Sequence, residues 1–177
     1  MKKAKITAVC GMMAALSVVL MFITTFVPVL VYVLPIVTGL IVFFISELAD
    51  KKWAVGVFFS TAFLSLVLLT DKEAALTYTL FFGYYPLLKE TIEKLPKVLS
   101  WLIKFLMFNI AAVSIGFLGV WLLGVSGEEY NEFGEFTVPI LLALANVTFI
   151  LYDVALSKNG NLLKLLALKV QKSINKR

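Results

Sequence analysis

KKAKITAVCGMMAALSVVLMFITTFV, residues 2–27, decides how the whole chain is read. Lys2, Lys3 and Lys5 precede a run from Ile6 to Val27 that carries no charge. A helix needs about 20 apolar residues to cross a hydrocarbon core of about 30 Å, so this run is long enough to span a bilayer. A secretory signal also opens with basic residues and an apolar stretch. Its apolar part is shorter, however, and no small-residue cleavage site comes before the next apolar run here. The stretch therefore reads as a retained first span.

Working outward, the same pattern repeats. Of 177 residues 61% are hydrophobic and 15% charged, whereas a soluble domain is near half apolar and a quarter charged. Spans are expected over 6–27, 31–49, 53–70, 74–90, 98–124 and 136–156. The breaks fall at Pro28, Asp50-Lys51-Lys52, Asp71-Lys72-Glu73, Lys94-Leu95-Pro96-Lys97 and an acidic stretch from Ser126 to Glu135. Loops this short make sequence neighbours antiparallel. The fold expected is an all-α membrane protein, a bundle of six transmembrane helices over residues 1–157.

Orientation follows from the lysines, because short cytoplasmic loops retain Lys and Arg. With the N-terminus inside, only Lys72 of the sixteen basic residues falls outside. The reverse orientation inverts that ratio, so both termini are expected in the cytoplasm and the chain in the cell membrane. Residues 158–177 form a basic tail. Asn159-Gly160-Asn161 reads as a helix stop, and Leu162, Leu163, Leu166, Val170 and Ile174 then recur at helical spacing. That tail is either a short amphipathic helix lying on the inner membrane surface or a frayed basic segment that serves topology alone.

Several function classes drop out. The chain has no histidine and one cysteine, Cys10, which excludes a histidine-based triad, a zinc site and an internal disulfide. No Gly-rich phosphate loop followed by Lys-Ser or Lys-Thr is present, so any ATP-driven step needs another chain. The net charge of +5 sits in lysines flanking apolar runs rather than on a soluble face, which argues against nucleic acid. No enzyme activity, cofactor or metal is expected.

The residues left to carry function are few. Ala4, Ala8, Gly11 and Ala15 put small side chains on one face of the first span, where backbones can approach closely. That face serves either a partner or the protein's own bundle. In the fourth span, Tyr78-Thr79-Leu80-Phe81-Phe82-Gly83-Tyr84-Tyr85-Pro86 should kink near Phe82 and Gly83 and free a carbonyl, since proline lacks the backbone donor. Tyr78 is a ligand candidate, while Tyr84 and Tyr85 suit either a pocket or an interfacial belt. Asn109 and Asn146 lie near mid-membrane, where an amide must bond within the bundle or to a ligand. Thr38, Ser114 and Thr148 share that depth but can bond their own helices. Glu47, Lys89, Lys104 and Asp153 form either an ion-pair cluster or a proton relay.

The basic start followed by Met13-Ala14-Ala15-Leu16-Ser17-Val18-Val19-Leu20, in a six-span chain of this length, resembles the substrate-binding S-components of energy-coupling factor (ECF) transporters. The resemblance implies that Ala8, Gly11 and Ala15 dock on a shared transmembrane coupling subunit driven by two cytoplasmic ATPase subunits. It also implies capture of a small solute, a vitamin or related micronutrient, at sites for which Tyr78, Asn109, Asn146 and Thr38 are the candidates. The competing expectation is a membrane accessory or assembly protein that carries no solute and docks a partner through its first helix.

Overall fold

The computed structural model describes residues 3–123 and 136–176. Seven α-helices follow one another: α1 Lys3–Phe22, α2 Val33–Leu48, α3 Lys51–Leu68, α4 Lys72–Thr77, α5 Tyr85–Ile92, α6 Lys97–Leu123 and α7 Thr137–Lys176. Short 3₁₀ turns, Ile23–Thr25 and Pro28–Leu30, join α1 to α2, and a π-turn, Tyr78–Phe82, continues α4. The acidic stretch expected between the last two spans lies outside the described residues.

Proline placement explains much of this segmentation. Pro35, Pro86 and Pro139 all fall within the first turn of their helices, and Pro96 directly precedes α6. At Pro35, Pro139 and Pro96 this sacrifices no intrahelical bond, because the first N–H groups of a helix have no partner in any case, whereas Pro86 follows the π-turn and leaves the Phe82 carbonyl without its usual donor. The turn between α3 and α4 is built from side chains. Asp71 accepts from the N–H groups of Glu73 (3.1 Å) and Ala74 (3.3 Å) to cap α4. Lys72 donates back to the carbonyls of Leu66 (2.8 Å) and Leu69 (2.7 Å), satisfying acceptors left open at the end of α3.

Four helices, α1, α3, α6 and α7, are long and apolar enough to cross a membrane. Large apolar side chains such as Phe63, Phe117 and Trp121 stand exposed at 68%, 68% and 73%, as a lipid-facing surface requires and a water-facing one cannot bear. α2 is apolar but has 16 residues, and the fourth expected span is interrupted between α4 and α5. Neighbouring helices run antiparallel, and side chains tie the two ends. At one end Tyr32 bonds Glu73. At the other, Lys51 meets Glu90 at 3.0 Å.

α2 is the central element, touching α1, α3, α5, the π-turn and α7. On one side, Val42 and Ile45 pack with Met21 of α1 and Ala54 and Val57 of α3. On the other, Phe43 joins an aromatic cluster of Phe81, Phe82, Tyr85, Phe108, Phe149 and Tyr152. Phe108 stacks on Phe149 (centroids 4.8 Å, planes 13° apart) and Phe81 on Tyr85 (4.8 Å, 24°).

The helix stop expected at Asn159-Gly160-Asn161 is not there: α7 runs unbroken for 40 residues. At about 1.5 Å per residue this is roughly 60 Å, about twice the hydrocarbon thickness. Tertiary contacts outweigh the local stop signal. Gly160 lies against Phe43, Ala167 is buried in the core, and Lys164 sits 3.6 Å from both Glu47 and Glu90. The basic tail is thus the second half of the last helix rather than a separate one.

Candidate functional site

The site begins with a missing N–H. Pro86 cannot donate to the carbonyl of Phe82, four residues back, and the chain widens there into the π-turn, with Gly83 N–H bonding Tyr78 O at 2.8 Å. The freed Phe82 carbonyl accepts instead from the Tyr152 hydroxyl of α7 at 3.4 Å. This approach needs Gly39 on α2. A Cβ built there would lie 2.3 Å from the Phe82 oxygen and 2.8 Å from the Tyr152 hydroxyl. The kink expected at Phe82 and Gly83 is present, and its carbonyl has a protein partner.

Bending the fourth segment opens a cleft of about 760 Å³ between it, α6 and α7, towards the end where α6 finishes and α7 starts. Glu73, Thr77 and Phe81 line it from the fourth segment at four-residue steps. From α6 come Phe108, Ala112, Gly116 and Val120, again at four-residue steps, and from α7 Leu141, Ala145 and Thr148. Small residues at helical spacing leave the volume; aromatic rings and leucines make it apolar. Tyr32, between α1 and α2, reaches the rim and bonds Glu73 Oε1 at 2.5 Å.

One polar group in this wall is unsatisfied. Several hydroxyls in the helices bond a carbonyl three or four residues back, as Ser17, Thr38, Ser65 and Thr148 do, while those of Thr61, Tyr78 and Thr79, outside the cleft wall, are buried without a partner. Thr77 is 2% exposed and its hydroxyl has no partner. A buried, unpaired hydroxyl costs about 1–3 kcal/mol, so its place in a cleft wall is informative.

No family model, curated protein or solved structure matches this chain.

The cleft does not gather the four solute candidates. Tyr78 is fully buried on the α3 side of the π-turn, its ring 5.9 Å from Phe58. Thr38 is buried and donates to Pro35 O at 2.9 Å. Asn109 and Asn146 pair with each other through two bonds of 3.0 Å, and each also donates 2.8 Å to a carbonyl of its own helix, Phe105 O and Leu142 O. The amide pair pins α6 to α7 just behind the cleft wall. Ser114 and Thr148 bond their own helices. Sequence reasoning missed Glu73, Thr77 and the small-residue faces of α6 and α7; the Glu73–Thr77–Phe81 spacing was the signal available.

At the lysine-rich end lies a buried ion cluster. Asp153 accepts from Tyr85, Lys89 and Lys104, the last at 3.1 Å to each oxygen. Glu93 bridges Lys89 (2.7 Å) and Lys104 (2.8 Å), which balances two positive charges with two negative ones. Burial raises the Glu93 pKa, but hydrogen bonds from Lys104 and Lys89 outweigh it and hold the carboxyl below the ordinary glutamate range. Glu47 is not a member, since its partner is Lys164. Tyr85 is fully buried in this network and is no interfacial belt residue, while Tyr84 is half-buried against Phe58 and Phe81.

On α1, Ala8, Gly11 and Ala15 are exposed, and no atom of another element lies within 4 Å of a Cβ built on Gly11. Cys10, Ala14, Ser17 and Val18 make the buried face instead. The small-residue stripe does not pack within the bundle.

Proposed function

We propose that this chain is a six-span membrane subunit, with both termini cytoplasmic, that captures a small solute and delivers it inward through an ECF-type complex. The cleft between α4, α6 and α7 carries this reading: it is a ligand-sized, mostly apolar cavity with a few polar groups, the usual make-up of a small-molecule site. Its lining residues lie towards the end of the bundle opposite the lysine-rich one, which on this reading faces outside. The solute contacts are then Glu73, Thr77 and the aromatic wall rather than Tyr78, Asn109, Asn146 and Thr38.

The exposed Ala8, Gly11 and Ala15 stripe supports docking on a transmembrane coupling subunit that works with two ATPase subunits, because close helix approach in lipid needs small side chains. The same stripe fits the second reading, an accessory protein that holds a partner and carries no solute. That reading leaves the cleft without a role.

Affinity purification from native membranes separates them. The transport reading expects co-recovery of a coupling subunit with two ATPases and a small molecule in the bound fraction by mass spectrometry. Gly11→Leu should lose the partners and keep a folded, monodisperse chain, since no described residue of another element lies within 4 Å of a Cβ at this position. A wild-type chain recovered with a single non-ATPase partner and no small molecule would establish the accessory reading instead.

A further inference from the structure

We infer that the cleft selects a flat, apolar molecule bearing an amine at one end, and that Glu73 and Thr77 set this selectivity. The inference deepens the solute-capture reading and rests on it for the cleft's role, though not for its chemistry.

Three observations carry it. Among the described residues lining the cleft, Glu73 is the charged side chain and none is a lysine or arginine. The basic residue nearest in sequence, Lys72, is committed to the carbonyls of Leu66 and Leu69 at the end of α3. An anionic ligand would meet a carboxylate and no compensating cation in an apolar enclosure, which is costly. A protonated amine would pair with Glu73, with Tyr32 holding the carboxylate from the far side at 2.5 Å.

Second, polarity is graded with depth. Glu73 starts α4, Thr77 follows one turn on, and Phe81 one turn further, each step about 6 Å along the axis. A carboxylate at the rim, an unpaired hydroxyl below it and a ring below that fit a ligand whose polar end points outward. Third, Phe81 and Phe82 of the π-turn and Phe108 of α6 line the cleft, and Phe81 is held by stacking on Tyr85 and Phe108 by stacking on Phe149. Rings held in place bind a flat group with little loss of freedom.

The test uses the purified full chain in detergent and three compounds sharing one ring and a similar arm: tryptamine, tryptophol and indole-3-propionate, measured by equilibrium dialysis. Tryptamine should bind at least about tenfold more tightly than indole-3-propionate, with tryptophol between them, the scale expected for one charge-assisted hydrogen bond. Glu73→Gln should weaken tryptamine by about tenfold while leaving tryptophol within about twofold, which also shows that the variant is folded. Thr77→Val should weaken all three. Equal or tighter binding of indole-3-propionate, an unchanged ranking in Glu73→Gln, or no saturable binding of any compound up to about 1 mM, the weak end of specific affinity, overturns the inference. Selective binding without any ATPase partner would leave the ligand class standing and remove the transport reading. ATP-dependent uptake of an anionic solute would do the opposite.

Discussion

Asp153 shows how much one residue can hold in this bundle. It takes hydrogen bonds from a tyrosine and two buried lysines, and those donors come from α5 and α6 while Asp153 belongs to α7. Removing one partner from a buried ion cluster strands the other charges and costs about 3–5 kcal/mol, far more than an exposed pair is worth. Asp153→Asn should therefore lower the melting temperature of the detergent-solubilised protein steeply. Glu93→Gln should have a smaller effect, because Glu93 is 43% exposed and water can replace part of its role. Equal losses in the two variants would mean that exposure does not spare Glu93 and that it anchors the cluster as firmly as Asp153. The sequence placed Lys89, Lys104 and Asp153 at similar depth, and that much was legible from charge in apolar runs. It could not tell Glu47 from Glu93 as the fourth member, since Glu47 is drawn to Lys164 by a helix that runs on past the local stop signal at Asn159-Gly160-Asn161.

At the scale of elements, the fourth segment is where local chemistry shapes the molecule. Pro86 withholds one donor, the helix widens, and the carbonyl it frees is taken up by Tyr152 through the space left by Gly39. Forcing an extra methyl into such a contact costs about 1–3 kcal/mol. Gly39→Ala should thus destabilise the bundle by that amount in thermal or chemical unfolding. Gly11→Ala should cost nothing measurable, as a Cβ there is unopposed. A neutral Gly39→Ala would show that α2 can move away from the π-turn. The bend was readable because proline acts on its own helix. The cleft behind it was not, because Ala112, Gly116 and Ala145 have no signature except being small, and only packing three helices together turns smallness into volume. The paired Asn109 and Asn146 were legible as a polar contact at mid-membrane, yet whether they face a ligand or each other depends on helix rotation, which spacing alone leaves open.

For the whole molecule the decisive asymmetry is charge. Among the described residues, Lys3, Lys5, Lys51, Lys52, Lys94, Lys97 and the basic second half of α7 gather at one end of the bundle, and Lys72 is the basic residue at the other. Lysine-rich ends stay on the cytoplasmic side because translocating them is unfavourable. The continuous α7 sharpens the consequence: on the proposed topology about half of its length would continue past the bilayer into the cytoplasm, and Lys164 holds that half against Glu47 and Glu90. Single cysteines introduced into a Cys10→Ala background and challenged with a membrane-impermeant thiol reagent test this arrangement in intact cells. Asp71→Cys should label from outside, whereas Lys97→Cys and Lys172→Cys should label only after permeabilisation. External labelling at Lys97 together with protection at Asp71 would invert the molecule. The cleft would then open to the cytoplasm, and capture from outside, with the docking surface on α1, would have to be abandoned.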